Sequence, residues 1–171
     1  MTNSNKTSNK SLNDIFSKFN KKTFKYLNIS TCLVADTFVA LYLYLVYANP
    51  KTYHESFKIA YQSLRLVDPS IADGIKDPNF QNQLIQLMIQ TVISIICIYL
   101  VIHFIIYIFR IYNKKFAHGY IKLYAWTGGV LMTMIALFNL GTPKIAMFLI
   151  PGLLLLFNAL GFKHESQMKE E

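Results

Sequence analysis

Acidic side chains are scarce in this sequence. Nine Asp and Glu stand against seventeen Lys and Arg, and charged residues together make up 15% of 171 positions. A soluble domain carries about 25%, so an ordinary solvated surface is excluded for most of the chain. Cysteine is also sparse. Cys32 and Cys97 both fall inside apolar runs and form no C-x-x-C. Neither lies in a loop where a disulfide or zinc site could form, so both are expected to pack as small apolar residues. That absence also counts against membrane thiol oxidoreductases, which use cysteine pairs at the membrane edge. No H-E-x-x-H, no G-x-S-x-G, no glycine-rich phosphate loop and no acidic cluster occurs. The chain is therefore not read as an enzyme, and neither a metal nor a cofactor is expected.

What is abundant is apolar. Hydrophobic residues make up 53% of the chain, above the usual range of about 45–50%, and they are clustered. Lys, Asn, Ile, Tyr and Phe are all frequent, a composition expected of an AT-rich bacterial genome.

Crossing about 30 Å of hydrocarbon takes about 20 apolar helical residues, and four segments qualify. They run from about Tyr26 to Ala48, from Leu84 to Tyr112, from Ala117 to Leu140, and from Lys144 to Phe162. Asn49-Pro50 stops the first, and Gly141-Thr142-Pro143 stops the third. The last connection is so short that the third and fourth spans must form an antiparallel hairpin. The expected fold is all-α: a polytopic membrane protein with four transmembrane helices in an antiparallel bundle.

The spans divide the chain into a basic segment 1–25, a transmembrane domain 26–162 and a tail 163–171. Within the first, Met1–Ser11 offers nothing to bury and is expected to be disordered. Leu12–Tyr26 is expected to be a short interfacial helix, dipping Ile15, Phe16, Phe19 and Phe24 into the headgroup region. The pattern is not that of a cleaved signal peptide.

Positive charge sets the direction. Lys6, Lys10, Lys18, Lys21, Lys22 and Lys25 precede the first span. Arg110, Lys114, Lys115 and Lys122 surround the second connection, and Lys163 and Lys169 follow the fourth span. With four spans these regions share one side and hold most of the basic residues. Both termini are thus expected in the cytoplasm, with the chain in the cytoplasmic (inner) membrane. This bias accounts for the net charge of +8 without a nucleic-acid partner. The expected partners are the lipid bilayer and either further copies of the chain or another membrane protein.

The outer connection, 49–83, carries Tyr53, Phe57, Ala60, Tyr61 and Leu64 at helical spacing, which predicts an amphipathic helix. Asp68-Pro69 and Asp77-Pro78 each read as an N-cap followed by proline at the first helical position. The second would start a helix reaching about Tyr112, roughly 50 Å long.

A few polar groups are placed inside hydrocarbon at a cost. Asp36 lies near the middle of the first span, where a carboxylate costs about 2.5–3.5 kcal/mol on insertion scales. It is a proton or cation site, a charge paired inside an oligomer, or a protonated acid bonded to a neighbouring helix. His103 lies on the second span, expected roughly 8 Å below Asp36 by helix rise. It is a candidate proton relay, with a water or Asn158 of the fourth span bridging the gap, or else a neutral histidine satisfied by a tyrosine.

Gln83, Gln86, Gln90, Ser94 and Cys97 share one face of the second span at spacings of three and four. Such a stripe is unfavourable against lipid. It lines a polar path or bonds to another helix. Gly128-Gly129 would let a neighbouring helix approach, with Thr127 and Thr133 bonding across the contact. Pro151-Gly152 is expected to kink the fourth span near its middle, freeing a carbonyl that forms part of an ion site, serves as a hinge or reflects packing geometry. Tyr120, Tyr124 and Trp126 are expected to form an inner aromatic belt.

Two functions follow as expectations. In the first, the chain is an oligomeric channel or transport subunit for protons, cations or a small solute. In the second, it is a non-catalytic membrane interaction protein, an accessory, sensing, immunity or defence component acting through a partner.

Overall fold

A computed structural model of the chain describes residues 16, 18–165 and 168. The expected disorder of Met1–Ser11 and most of the expected interfacial helix lie outside the described residues. Seven helices occur among those residues: α1 Lys21–Tyr47, α2 Pro50–Arg65, α3 Pro69–Lys76, α4 Pro78–Ile111, α5 Lys115–Phe138, α6 Pro143–Ala146 and α7 Leu149–His164. Four helical stretches are long and apolar enough to cross a membrane: α1, α4, α5, and α6 with α7. They coincide with the four expected spans, so the all-α transmembrane reading holds.

Local chemistry explains where the helices begin. Asn49 accepts from the Lys51 amide at 3.1 Å, ahead of Pro50. Asp68 accepts from the Ser70 amide at 2.9 Å, ahead of Pro69. Asp77 accepts from the Asn79 amide at 3.0 Å, ahead of Pro78. In each case a short polar side chain satisfies an orphan amide and proline supplies the first helical φ without wasting a donor.

The α4–α5 turn is closed differently. Asn113 has a φ of 57°. The amides of Asn113 and Lys114 bond back to the carbonyls of Arg110 and Phe109, both at 3.0 Å. This is a Schellman stop, and asparagine tolerates its left-handed position better than most residues.

Burial is inverted relative to a soluble protein. On α1 the inward set is Asn28, Thr31, Cys32, Ala35 and Asp36, at helical spacing, while Leu33, Val34, Leu41 and Leu45 face out. On the last turns of α4, His103, Tyr107 and Arg110 are buried while Ile102, Phe104, Ile105 and Phe109 are exposed. Water would drive the large aliphatic groups inward. Hydrocarbon does not, and it leaves small and polar residues to make the helix contacts.

The chain forms two compact units, Met1–Phe38 with His103–Glu171, and Val39–Ile102. In the first, α5 and α7 make the most extensive helix–helix contact. Gly129 and Gly152 are the reason. A Cβ on Gly129 would sit 2.9 Å from the backbone nitrogen of Leu156, and one on Gly152 2.8 Å from that of Thr133. The backbones meet where no side chain intervenes. Thr127 bonds within its own helix, to the Leu123 carbonyl. The Thr133 hydroxyl is buried with no hydrogen-bond partner among the described residues. Neither threonine bonds across the contact.

Two local features differ from expectation. The interruption of the fourth span lies ahead of Pro151-Gly152 rather than at that pair. The span breaks upstream, at Met147 and Phe148, between α6 and α7. The ring of Pro151 would clash with the carbonyl four residues earlier, which is that of Met147. The helix therefore restarts at Leu149 and takes Pro151 into its first turn. Phe16 and Phe24 are fully buried. Phe24 packs over Gly161 and edge-on to Phe162, and Phe16 stacks on His164 at 5.6 Å. Gly161 leaves the space that receives the Phe24 ring.

In the second unit, α2 turns its expected face inward: Tyr53 is buried and Phe57, Ala60, Tyr61 and Leu64 are half-buried. The Tyr53 hydroxyl donates to the Tyr47 carbonyl and the Thr52 hydroxyl to the Val46 carbonyl, which folds α2 back on the end of α1.

Candidate functional site

Asp36 is 2% exposed. A carboxylate has acceptors on both oxygens and no donor. Two phenols from two other helices meet it. Tyr107 of α4 donates to Oδ2, and Tyr124 of α5 donates to Oδ1 at 2.7 Å. Hydrogen bonds to a carboxylate are about twice as strong as neutral ones, and the surrounding low dielectric strengthens them further. Three helices are thus pinned on one carboxyl group.

His103 sits beside this group. Its Nε2 is 2.7 Å from the Tyr120 hydroxyl. Its ring lies 5.4 Å from that of Tyr124 and 6.2 Å from that of Tyr107. Tyr120 and Tyr124 are themselves stacked at 6.2 Å. The result is a five-residue cluster of one acid, one imidazole and three phenols. Every member can hold or pass a proton.

The residues come in pairs four apart: His103 with Tyr107 on α4, and Tyr120 with Tyr124 on α5. Those spacings place each pair on one helix face, and they are the signal by which the sequence could have revealed the cluster. Reading Tyr120 and Tyr124 as an interfacial belt concealed it. The expected offset between Asp36 and His103 also misplaced the contact. The residue that reaches the acid is Tyr107, one turn beyond His103.

Asn158 is fully buried, but its amide bonds lead elsewhere. Its Nδ2 donates to the Asn28 carbonyl at 3.3 Å and to Thr31 Oγ1 at 2.7 Å. The Thr31 hydroxyl donates in turn to the Asn28 carbonyl at 3.0 Å. Asn28 lies eight residues before Asp36, about 12 Å along the helix. This is a second polar station on α1, nearer the α4–α5 turn, rather than a bridge from Asp36 to His103. Both side-chain polar atoms of Asn28 and the Asn158 Oδ1 are buried without partners among the described residues. Buried amides in this state are sites for internal water.

A third station lies at the level of the turn. Arg110 is 3.8 Å from one oxygen of Glu165, and His118 is 3.5 Å from the other.

The glutamine stripe is not part of this network. Gln83, Gln86, Gln90, Ser94 and Cys97 are all exposed, in the second unit. Only 11% of the most apolar window of α4 is buried within the chain. Pro151 and Gly152 are buried against α5. Among the described residues, no three His, Cys, Asp or Glu side chains converge on a point where a metal ion could sit.

Four apolar spans with an inward-facing polar network define a multi-pass α-helical integral membrane protein. No protein-family model, no characterised protein and no solved structure matches the chain.

Proposed function

We propose that the protein is a proton-handling subunit of a membrane channel or transporter, with Asp36 as the group that takes up and releases the proton. The observation that supports this reading is a buried Asp36 that accepts from a phenol on each oxygen, with the imidazole of His103 packed against one of those phenols.

Protonating Asp36 turns one of its oxygens from acceptor into donor. One phenol must then rotate its O–H away and accept instead. Tyr124 is the better placed, because its ring also contacts His103 and Tyr120. The turned Tyr124 O–H keeps its proton; on release, Asp36 passes its proton to the Tyr124 oxygen as Tyr124 passes its own toward the His103–Tyr120 pair, where the direction of the bond depends on the imidazole tautomer. The Asn28–Thr31–Asn158 and Arg110–Glu165–His118 stations extend polar groups along the same unit toward the α4–α5 turn. The charge bias assigns that end, with both termini, to the cytoplasmic face.

In this reading the exposed stripe on α4 is covered by the same stripe of another copy. Glutamine amides are both donors and acceptors, so a like surface satisfies them where lipid does not.

The test is proton flux. Purified protein in liposomes should acidify or alkalinise the lumen under an imposed gradient, and Asp36→Asn should abolish the flux while the protein stays folded. Absence of flux from the wild-type protein under both pH and voltage gradients sinks the proposal.

A second reading rests on the stripe itself. A membrane partner other than a copy of the chain could cover Gln83–Cys97, making the protein a non-catalytic accessory or defence component. A heterologous protein crosslinked through this face, with no flux from either protein, would favour that reading.

A further inference from the structure

Phe24, Asn28, Cys32 and Asp36 follow one another at intervals of four along α1, and all four are buried. Each interval is about 6 Å of helix. They make one inward face, running from the end of the bundle where α1 starts and α7 stops up to the carboxylate. Asn28 and Asp36 belong to the polar stations already described. Phe24 does not, and it stands at the end of the row.

Phe24 is the centre of an aromatic tier. Its ring meets Phe162 of α7 edge-on at 5.4 Å and Phe16 edge-on at 6.4 Å. Phe16 lies in turn 5.3 Å from Phe157 and stacks on His164 at 5.6 Å. A Cβ on Gly161 would strike the Phe24 ring and come within 3.1 Å of the Phe16 ring, so this glycine makes the seat for both. The tier interrupts the polar groups. Asn158 precedes Phe162 by one turn, on the inner side. The His118 ring meets Phe162 edge-on at 5.3 Å, on the side of the Arg110–Glu165–His118 station. Phe16 and Phe24 expose no surface, and an apolar constriction excludes water and ions by dewetting.

Phe16 is held differently from the other rings. Phe24, Phe157 and Phe162 are fixed on membrane-spanning helices, whereas Phe16 precedes α1. Asn20 caps that helix, accepting from the Thr23 amide at 2.6 Å. Ahead of the cap the chain turns, with the Phe19 amide bonded to the Phe16 carbonyl at 3.1 Å. The turn lays the Phe16 ring against α7. Its seat is made of rings and a glycine, so vacating it unwinds no span.

We infer that Phe16 is a plug: it closes this end of the polar route, and the route joins the adjoining water when Phe16 leaves the Gly161 seat. The purpose of the plug rests on the proton-handling reading; the closure itself does not.

Cys32 is a built-in reporter, one turn inside Asn28. With Cys97→Ser it is the sole thiol of the full chain. In lipid nanodiscs its modification is followed by intact mass with two reagents. A charged methanethiosulfonate needs a water-filled path, and neutral N-ethylmaleimide reports general loosening. Charged labelling should be slow in the Cys97→Ser protein. It should be about tenfold faster in Phe16→Ala and in Phe157→Ala, with the neutral rate unchanged. Phe16→Leu, which keeps apolar bulk in the seat, should stay protected. The two alanine variants lie on different segments, so misfolding of one, read by circular dichroism, leaves the other informative.

A charged rate unchanged in both alanine variants, or both reagents accelerated alike, overturns the plug. Flux in liposomes separates it from the proton reading. Faster charged labelling with no flux from any form keeps the plug and removes proton handling. Wild-type flux, with charged labelling untouched by either variant, does the reverse.

Discussion

The phenol of Tyr107 on α4 donates to the carboxylate of Asp36 on α1, across 71 residues of sequence. Tyr124 of α5 completes the pair of donors. Removing either hydroxyl leaves a buried carboxylate oxygen short of a partner. Tyr107→Phe and Tyr124→Phe should each lower stability by about 1 kcal/mol, the scale of an interhelical hydrogen bond in lipid. Reversible unfolding in mixed detergent micelles measures this. In the flux assay, the double variant should transport less than either single one. Equal stability of all three with the wild-type protein would remove Tyr107 and Tyr124 as partners of Asp36.

The α5–α7 contact makes a prediction by contrast. Gly152→Ala forces a methyl group against the Thr133 backbone, and Gly129→Ala forces one against Leu156. Each should cost about 1–3 kcal/mol, the usual penalty of overpacking. Gly119→Ala meets nothing within 4 Å in the same helix α5. It should be neutral, or stabilise by up to about 1 kcal/mol through helix propensity. Thermal denaturation in one detergent, with the three variants in parallel, checks the order.

Thr133→Val gives a change of the opposite sign. The threonine hydroxyl is buried and unpartnered among the described residues. Valine keeps the shape and discards the unsatisfied group, so stability should rise by about 1 kcal/mol. A fall would mean that the hydroxyl has a partner, such as a bound water, that valine cannot replace.

Cys97 probes the stripe directly. It is the exposed member of the two cysteines, since Cys32 is buried. If copies meet through Gln83–Cys97, mild oxidation in native membranes should yield a disulfide-linked dimer, and Cys97→Ser should abolish it. A strict monomer under crosslinking would separate the stripe from self-association.

The threading of the chain is testable by tags. Reporters at Met1 and Glu171 should read out from the cytoplasm, and one in the Tyr53–Lys76 segment from the opposite side. Termini in different compartments would contradict the positive-charge argument.

Much of the fold was legible because hydrocarbon imposes a length rule that a sequence must obey openly. Two of the three caps were legible for a similar reason: Asp68-Pro69 and Asp77-Pro78 act within four residues, whereas Asn49-Pro50 read only as the stop of the first span although Asn49 also caps α2. The break at Met147–Phe148 was displaced because proline acts on the carbonyl one turn behind it, not at its own position.

The site was only half legible. Asp36, His103 and Asn158 stood out as polar groups in apolar runs. Their partners did not. Pairing Asp36 with Tyr107 depends on the register between α1 and α4, which no local pattern encodes, and a tyrosine reaches far enough to shift the apparent depth by a turn. Asn158 went to Asn28 and Thr31 for the same reason. The stripe on α4 was plain as a pattern, yet what covers it is a property of an assembly rather than of one chain.

The contact between Asp36 and Tyr124 also carries an order in time. Ribosomes add about 5–20 residues per second, and Tyr124 follows Asp36 by 88 positions. Asp36 is therefore joined to the chain roughly 4–18 s before the last phenol that will receive it. During biogenesis the acid has to be sheltered until that phenol arrives. The hairpin of α5 with α7, translated last, completes the reception of the helix translated first.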